Sequence, residues 1–193
     1  MLTNHQEVTW RIVPQNTPSV MRHCSKCNRK MPYNCSEKFR MNSNAARVDI
    51  WLIYKCSKCD NTLKLAIHKG VHPQDISREQ FNRFTHNDAK LAWDYAFNRN
   101  FLKQNECVVQ YGDVAYDIEG FVPQKWDTPI TVYLKSEHFF ELKLSALLAR
   151  ALGISIGKLR GIVQAGLISV DPLRDVMKYR IKSDIDILIQ PHS

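Results

Sequence analysis

Glycine and proline are scarce, 7 and 8 among 193 residues, which excludes a collagen-like or low-complexity chain. No apolar run approaches the roughly 20 residues of a membrane-spanning helix, and the polar start from Met1 to His5 lacks the basic-then-apolar layout of a secretory signal. The expectation is a cytoplasmic protein with no membrane partner. No repeat of about 20 to 50 residues is visible, which excludes solenoids and propellers. Acidic side chains are also few: 19 against 27 Lys and Arg, a formal net charge of +8. With 44% hydrophobic and 10% aromatic residues, the chain can bury a core.

The charge is unevenly placed. Residues 21–70 carry 11 basic and 3 acidic side chains, net +8; residues 71–141 carry 7 and 11, net −4; residues 142–193 carry 8 and 4, net +4. Two basic segments flank an acidic one, and basic segments of this kind point to an anionic partner such as nucleic acid.

Four of the six cysteines form two nearly identical words, Cys24-Ser25-Lys26-Cys27 and Cys56-Ser57-Lys58-Cys59. Each CxxC presents two thiolates from one tight turn, and two such knuckles supply the four soft ligands of a tetrahedral zinc ion with no position open to water. One structural Zn2+ is therefore expected at Cys24, Cys27, Cys56 and Cys59. Two matched pairs fit one metal better than a redox dithiol, which remains a remote alternative. Cys35 and Cys107 read as buried small hydrophobes, and His23 as a weak substitute ligand.

Between the knuckles, Val48 to Lys55 is a β-branched and aromatic run that reads as a strand. Tyr33 to Met41 is its expected antiparallel partner, with Asn42 to Ala45 as the turn and Thr62 to Ile67 as a third strand. Both faces of the central strand are apolar, Val48, Ile50, Leu52 and Tyr54 on one and Trp51 and Ile53 on the other. Such a strand should pack against the helical middle.

The words from Phe39 to Asn44 and from Val48 to Cys56 resemble a bacterial family of about this length, catalogued only as a domain of unknown function. The resemblance implies zinc and a bacterial cytosolic setting, and no activity.

Further on, Ser77 and Gln80 fit a capping box, Asn87 is a candidate second cap, and Leu91, Ala92, Tyr95 and Ala96 recur at helical spacing. Val108 to Tyr111 and Ile130 to Leu134 read as strands. Residues 142–170 read as two short helices and a strand: Leu144, Leu147, Leu148 and Ala151 form one stripe, Gly153 stops it, and Ser155 caps the next helix. That order, with Lys143 to Leu148, Gly153 to Ser155, Arg160, Gly166 and Tyr179 to Ile187, resembles the small RNA-binding domain of ribosomal protein S-four. The resemblance implies that basic side chains on the paired helices meet RNA phosphates, here Lys143, Arg150, Lys158 and Arg160 with Ser155 at the helix start. Ile156, Ser145, Pro172 and Ser183 depart from the family's pattern.

Gly153 to Gly157 also matches GxSxG, with Asp171 and His192 available to complete a hydrolase triad. The segment follows an amphipathic helix, whereas a nucleophile elbow follows a strand.

The expected architecture is α+β in three parts: residues 1–70 as a zinc ribbon with an N-terminal strand and a three-stranded antiparallel sheet, 71–141 as a helical then extended middle packed on it, and 142–193 as the S-four-like module. The expected function is non-enzymatic binding of structured RNA, on the ribosome or elsewhere, through Arg40 and Arg47 on the ribbon and Lys143, Arg150, Ser155, Lys158 and Arg160 on the module. The alternative is a protein-interaction scaffold in which zinc is architectural only.

Overall fold

The computed structural model describes residues 5–44, 46–121 and 128–191; Ala45 of the expected turn and His192 of the hydrolase triad lie outside them. Among the described residues there are five α-helices and ten strands in two five-stranded sheets, an α+β protein. The chain divides into two compact units, an inserted one at Asn16–Val114 and a split one made of Met1–Gln15 and Ala115–Ser193. This division cuts across the segments 1–70, 71–141 and 142–193, whose limits follow charge and composition, because contacts form between strands distant in sequence.

The split unit holds β1 (Gln6–Pro14), β7 (Tyr116–Glu119), β8 (Ile130–Ser136), β9 (Ile168–Asp171) and β10 (Ile185–Ile189), in the order β7-β1-β8-β10-β9. The first strand therefore does not join the cysteine-bearing sheet as expected. It runs parallel to β8, Val8 opposite Val132 and Trp10 opposite Leu134. Alternate positions point inward: Trp10 and Ile12, then Ile130, Val132 and Leu134, then Ile185, Ile187 and Ile189 are buried, the period of two that a sheet with one covered face requires. The helices α4 (Leu144–Ala151) and α5 (Ile156–Gln164) bury Leu144, Leu147, Leu148, Leu159 and Ile162, so the helical stripe and the sheet face remove each other from water. Gly153, at φ 62°, lets the chain leave α4. Gly120, at φ 124°, ends β7 where a Cβ would run into the Thr9 carbonyl.

The inserted unit is an antiparallel meander, β2 (Ser19–Cys24), β3 (Arg29–Asn44), β4 (Arg47–Cys56) and β5 (Thr62–Val71), with β6 (Val108–Gln110) added beside β2. The sheet has five strands, against three expected, because β2 precedes the first knuckle and β6 returns from beyond the helices to pair Val108 with Met21. The β3–β4 pairing runs further than expected: Asn42, Ser43 and Asn44 are still paired, and Asn44 faces Arg47.

One face of this sheet packs on three helices, α1 (Arg78–Thr85), α2 (Ala89–Phe97) and α3 (Arg99–Gln104). Val48, Ile50, Leu52, Tyr54 and Leu65 bury against Phe84, Leu91, Ala92, Phe101 and Leu102, so the expected packing of strands on helices is present. Ser77 caps α1 by accepting from the Gln80 N–H. Asp88, not Asn87, caps α2, accepting from the Leu91 N–H at 2.9 Å. Asn87 instead adopts φ 52°, a conformation Asn tolerates better than most residues, and its Oδ1 accepts from the Phe39 N–H at 2.7 Å.

Side chains from the helical segment also engage the sheet where its ladders shift register. The β3–β4 register shifts between Cys35 and Lys38, and the carboxylate of Glu37, in that bulge, accepts from the Trp93 indole at 2.8 Å. The β4–β5 register shifts beside Trp51, and there Asn105 clamps both the N–H and the C=O of Ala66.

Candidate metal centre

The meander brings the knuckles together. The first joins β2 to β3 and the second joins β4 to β5, and because β3 and β4 are antiparallel neighbours, the start of one lies beside the end of the other, Tyr33 opposite Cys56. Each knuckle begins at the last residue of a strand, Cys24 or Cys56. Each is followed by a residue in the left-handed region, Asn28 at φ 51° and Asp60 at φ 55°. Asn and Asp are the non-glycine residues best suited to that conformation, so the matched words Cys-Ser-Lys-Cys-Asn and Cys-Ser-Lys-Cys-Asp carry a backbone instruction as well as ligands. Asn61 Nδ2 reaches Ser25 Oγ across the two turns at 3.4 Å, and the Ser57 N–H donates to the Pro32 carbonyl at 2.9 Å.

The four sulfurs of Cys24, Cys27, Cys56 and Cys59 lie within 4.8 Å of one another. Cys24 and Cys59 are 3.5 Å apart and Cys27 and Cys56 4.0 Å, far beyond a disulfide bond of about 2.05 Å, and all six cysteines are free thiols. This quartet can hold one metal ion. The Tyr33 hydroxyl, buried beside it, donates to Cys24 and holds that thiol down at about 6, while hydrogen bonding with Cys59 pushes Cys27 up. Four thiols this close cannot all ionise unless a cation lies among them. Lys26 and Lys58, exposed at the knuckle tips, offset part of the negative charge of a loaded site. His23 is exposed on β2 opposite Lys30 and is not a member of the cluster.

Cys35 and Cys107 pack partly buried against the core of the inserted unit. Burial raises both thiols, Cys35 to about 11, as small hydrophobes rather than reactive groups.

Arg40 is exposed on β3. Arg47 starts β4 and donates to the Gly70 carbonyl at 2.6 Å. In the split unit, Lys143 precedes α4 and its backbone bridges to Arg180. Lys158 and Arg160 are exposed on α5. Ser155 Oγ accepts from the Lys158 N–H at 3.2 Å as the α5 cap. It follows α4, not a strand, so the nucleophile-elbow geometry is absent from this segment. Arg150 is tied down: it donates to the Tyr116 carbonyl at 2.7 Å, pairs with Asp117 at 3.3 Å and lies 4.6 Å over the Tyr116 ring.

The β9–β10 connection adds a feature that motif reading passed over, an open cleft of about 360 Å³ lined by Arg174, Asp175, Lys178, Tyr179, Arg180 and Lys182. The +4 tail was the available signal. It gave the sign of the charge but not its convergence on one loop.

Fold and site together define a two-unit α+β protein with a four-cysteine cluster able to hold a metal ion. A family model matches residues 41–173, about two thirds of the chain, and the chain belongs to that family, described as a protein of unknown function (DUF1062). The match includes the second knuckle, stops short of the first, and crosses from one unit into the other. No curated protein and no solved structure matches the chain.

Proposed function

We propose that this protein is a cytoplasmic, non-enzymatic RNA-binding protein whose inserted unit is a zinc ribbon. The thiol quartet carries the zinc part. A tetrahedron with zinc–sulfur bonds of about 2.3 Å has sulfur–sulfur edges of about 3.8 Å, and the separations of 3.5 and 4.0 Å bracket that length. Four thiolates complete the coordination, so the ion is structural, and binding it supplies folding free energy to the surrounding strands.

The RNA part rests on the sequence resemblance of the stretch from Lys143 to Ile187 to the S-four RNA-binding domain, and on the exposed cations of that stretch. Lys143, Lys158 and Arg160 and the four cations of the 174–182 cleft are the phosphate ligands in this reading. Arg150, already engaged with Tyr116 and Asp117, and Arg180, engaged with the carbonyl and carboxylate of Glu141, contribute least. Structured RNA, such as that of the ribosome, is the partner. Each phosphate neutralised steepens the salt dependence by about 0.7 to 0.9 log units per decade of salt.

A scaffold reading is favoured by two exposed apolar side chains in the same region, Ile156 and Leu173, the latter 82% exposed. The experiment that decides is titration of the full chain into a fluorescent RNA hairpin at two salt concentrations. Binding with a steep salt slope that flattens in Lys158→Gln/Arg160→Gln is expected. Absence of binding at about 50 mM salt ends the RNA reading and leaves the scaffold.

A further inference from the structure

The sheet of the inserted unit has a second face, turned away from the helices, and its composition is unlike a solvated sheet surface. Cross-strand partners share a face, so the register defines its rows. Arg40, Trp51 and Ala66 form one row; Lys38, Ile53 and Lys64 the next; Asn34, Lys55 and Thr62 the third. A tryptophan thus sits among Lys38, Arg40, Lys55 and Lys64.

Asp49, a carboxylate on the same face, accepts from the Gly70 N–H at 2.6 Å. Lys38, Arg40 and Lys64 are exposed and Trp51 is partly exposed. Among the described residues no hydrogen bond or ion pair holds Lys38 or Arg40. Ala66, the smallest side chain available beside Trp51 apart from glycine, leaves the indole uncrowded on the β5 side. The Lys64 ammonium lies 5.0 Å over the ring, which places that face of the indole within reach of a group arriving from solvent.

We infer that this face binds a single-stranded stretch of RNA, with one base stacked on Trp51 and the flanking phosphates on Lys38, Arg40 and Lys64. The inference rests on the RNA-binding reading above and adds a site in the other unit, with a different mode. Magnitudes favour the exchange. Stacking a base on an aromatic side chain is worth about five- to a hundredfold in affinity, while an exposed cation–π contact such as Lys64 over Trp51 is worth about two- to fivefold. A base therefore displaces the ammonium at a net gain, and the flexible lysine moves to the adjoining phosphate. Base stacking needs an unpaired strand, because in a duplex both faces of each base are already covered. Helical aromatics do not compete for this role: Tyr95 stacks on Phe84 and meets Phe101 edge-on against the core.

The test uses the full chain, a labelled 12-nucleotide oligouridine, and a labelled RNA hairpin with a duplex stem. Trp51→Ala should weaken oligouridine binding about tenfold with an unchanged salt slope, and Trp51→Phe should recover most of it. Lys38→Gln/Arg40→Gln should lower the oligouridine slope by about 1.4, and hairpin binding should survive both Trp51 changes. Trp51→Phe guards against loss of folding in the alanine variant. If oligouridine affinity is the same in wild type and Trp51→Ala, or if Trp51→Phe binds no better than alanine while folded, the stacking site is wrong. Retention of hairpin binding in that event leaves the RNA-binding reading standing. Failure of wild type to bind either RNA removes both.

Discussion

The two units build five-stranded sheets by opposite routes. In the inserted unit β2, β3, β4 and β5 are neighbours in sequence and in space, joined by two knuckles and one hairpin. In the split unit the central pair is β1 with β8, parallel and more than a hundred residues apart, and the inserted unit lies between them in the chain. Local pairing can be anchored by turns and ligands, whereas distant parallel pairing depends on the apolar faces that Trp10, Leu134 and Ile187 bury. One unit should therefore depend on metal and the other on its hydrophobic core.

Removing the metal is the strongest way to break that comparison. Structural zinc is worth about 10 kcal/mol or more in small domains. Chelation, or Cys56→Ser, is expected to abolish one equivalent of bound zinc by elemental analysis and to strip amide-exchange protection from β2 to β5, while β1, β8 and β10 stay protected. Loss of protection in both sheets together would make the units one cooperative body. The reciprocal change, Leu147→Ala in α4, empties a fully buried site and should cost about 2–5 kcal/mol. It should do so with zinc content unchanged, read by denaturant unfolding alongside metal analysis.

A smaller effect sharpens the comparison within the inserted unit. The Arg83 hydrogen bond, followed by the Leu91 N–H, holds the Asp88 carboxyl below the usual carboxylate range. Asp88 therefore stabilises the fold at pH above its unfolded value of about 3.9, and that contribution is lost as pH falls through the lower folded value. Asp88→Ala should cost about 1 kcal/mol at pH 7, and the pH-dependent part of that difference should disappear as pH falls through the lowered folded value. Asp88→Asn, which still caps α2, should lose only the ion-pair part, about 0.5 kcal/mol. A difference that stays constant with pH would mean that Asp88 acts only as a cap.

Much of the site was legible because its signals are local. The repeated Cys-Ser-Lys-Cys word names the four sulfurs that lie together, the alternation of Val48 to Tyr54 marks the packed face, and Ser77 and Ser155 cap the expected helices. Asn87 misled because it has the chemistry of a cap, but its side chain is used by the β3 backbone, a demand set by tertiary packing. The N-terminal strand misled for a similar reason: Val8, Trp10 and Ile12 state that one face is buried, but not which sheet buries it. The 174–182 cleft and the Trp51 face are further from reach of sequence reading, since each is assembled from loop closure or strand register.

By itself the amino-acid sequence determined the cysteine quartet, the Ser77 and Ser155 caps, and the two basic segments, because those depend on side-chain chemistry at spacings of a few residues. Only the tertiary structure decided that the first strand joins the last ones, that the meander sets Cys24 beside Cys59, and that Trp51 stands among four cations. Those arrangements depend on pairing register and on which apolar faces meet, and these free energies are shared among residues that the chain keeps far apart.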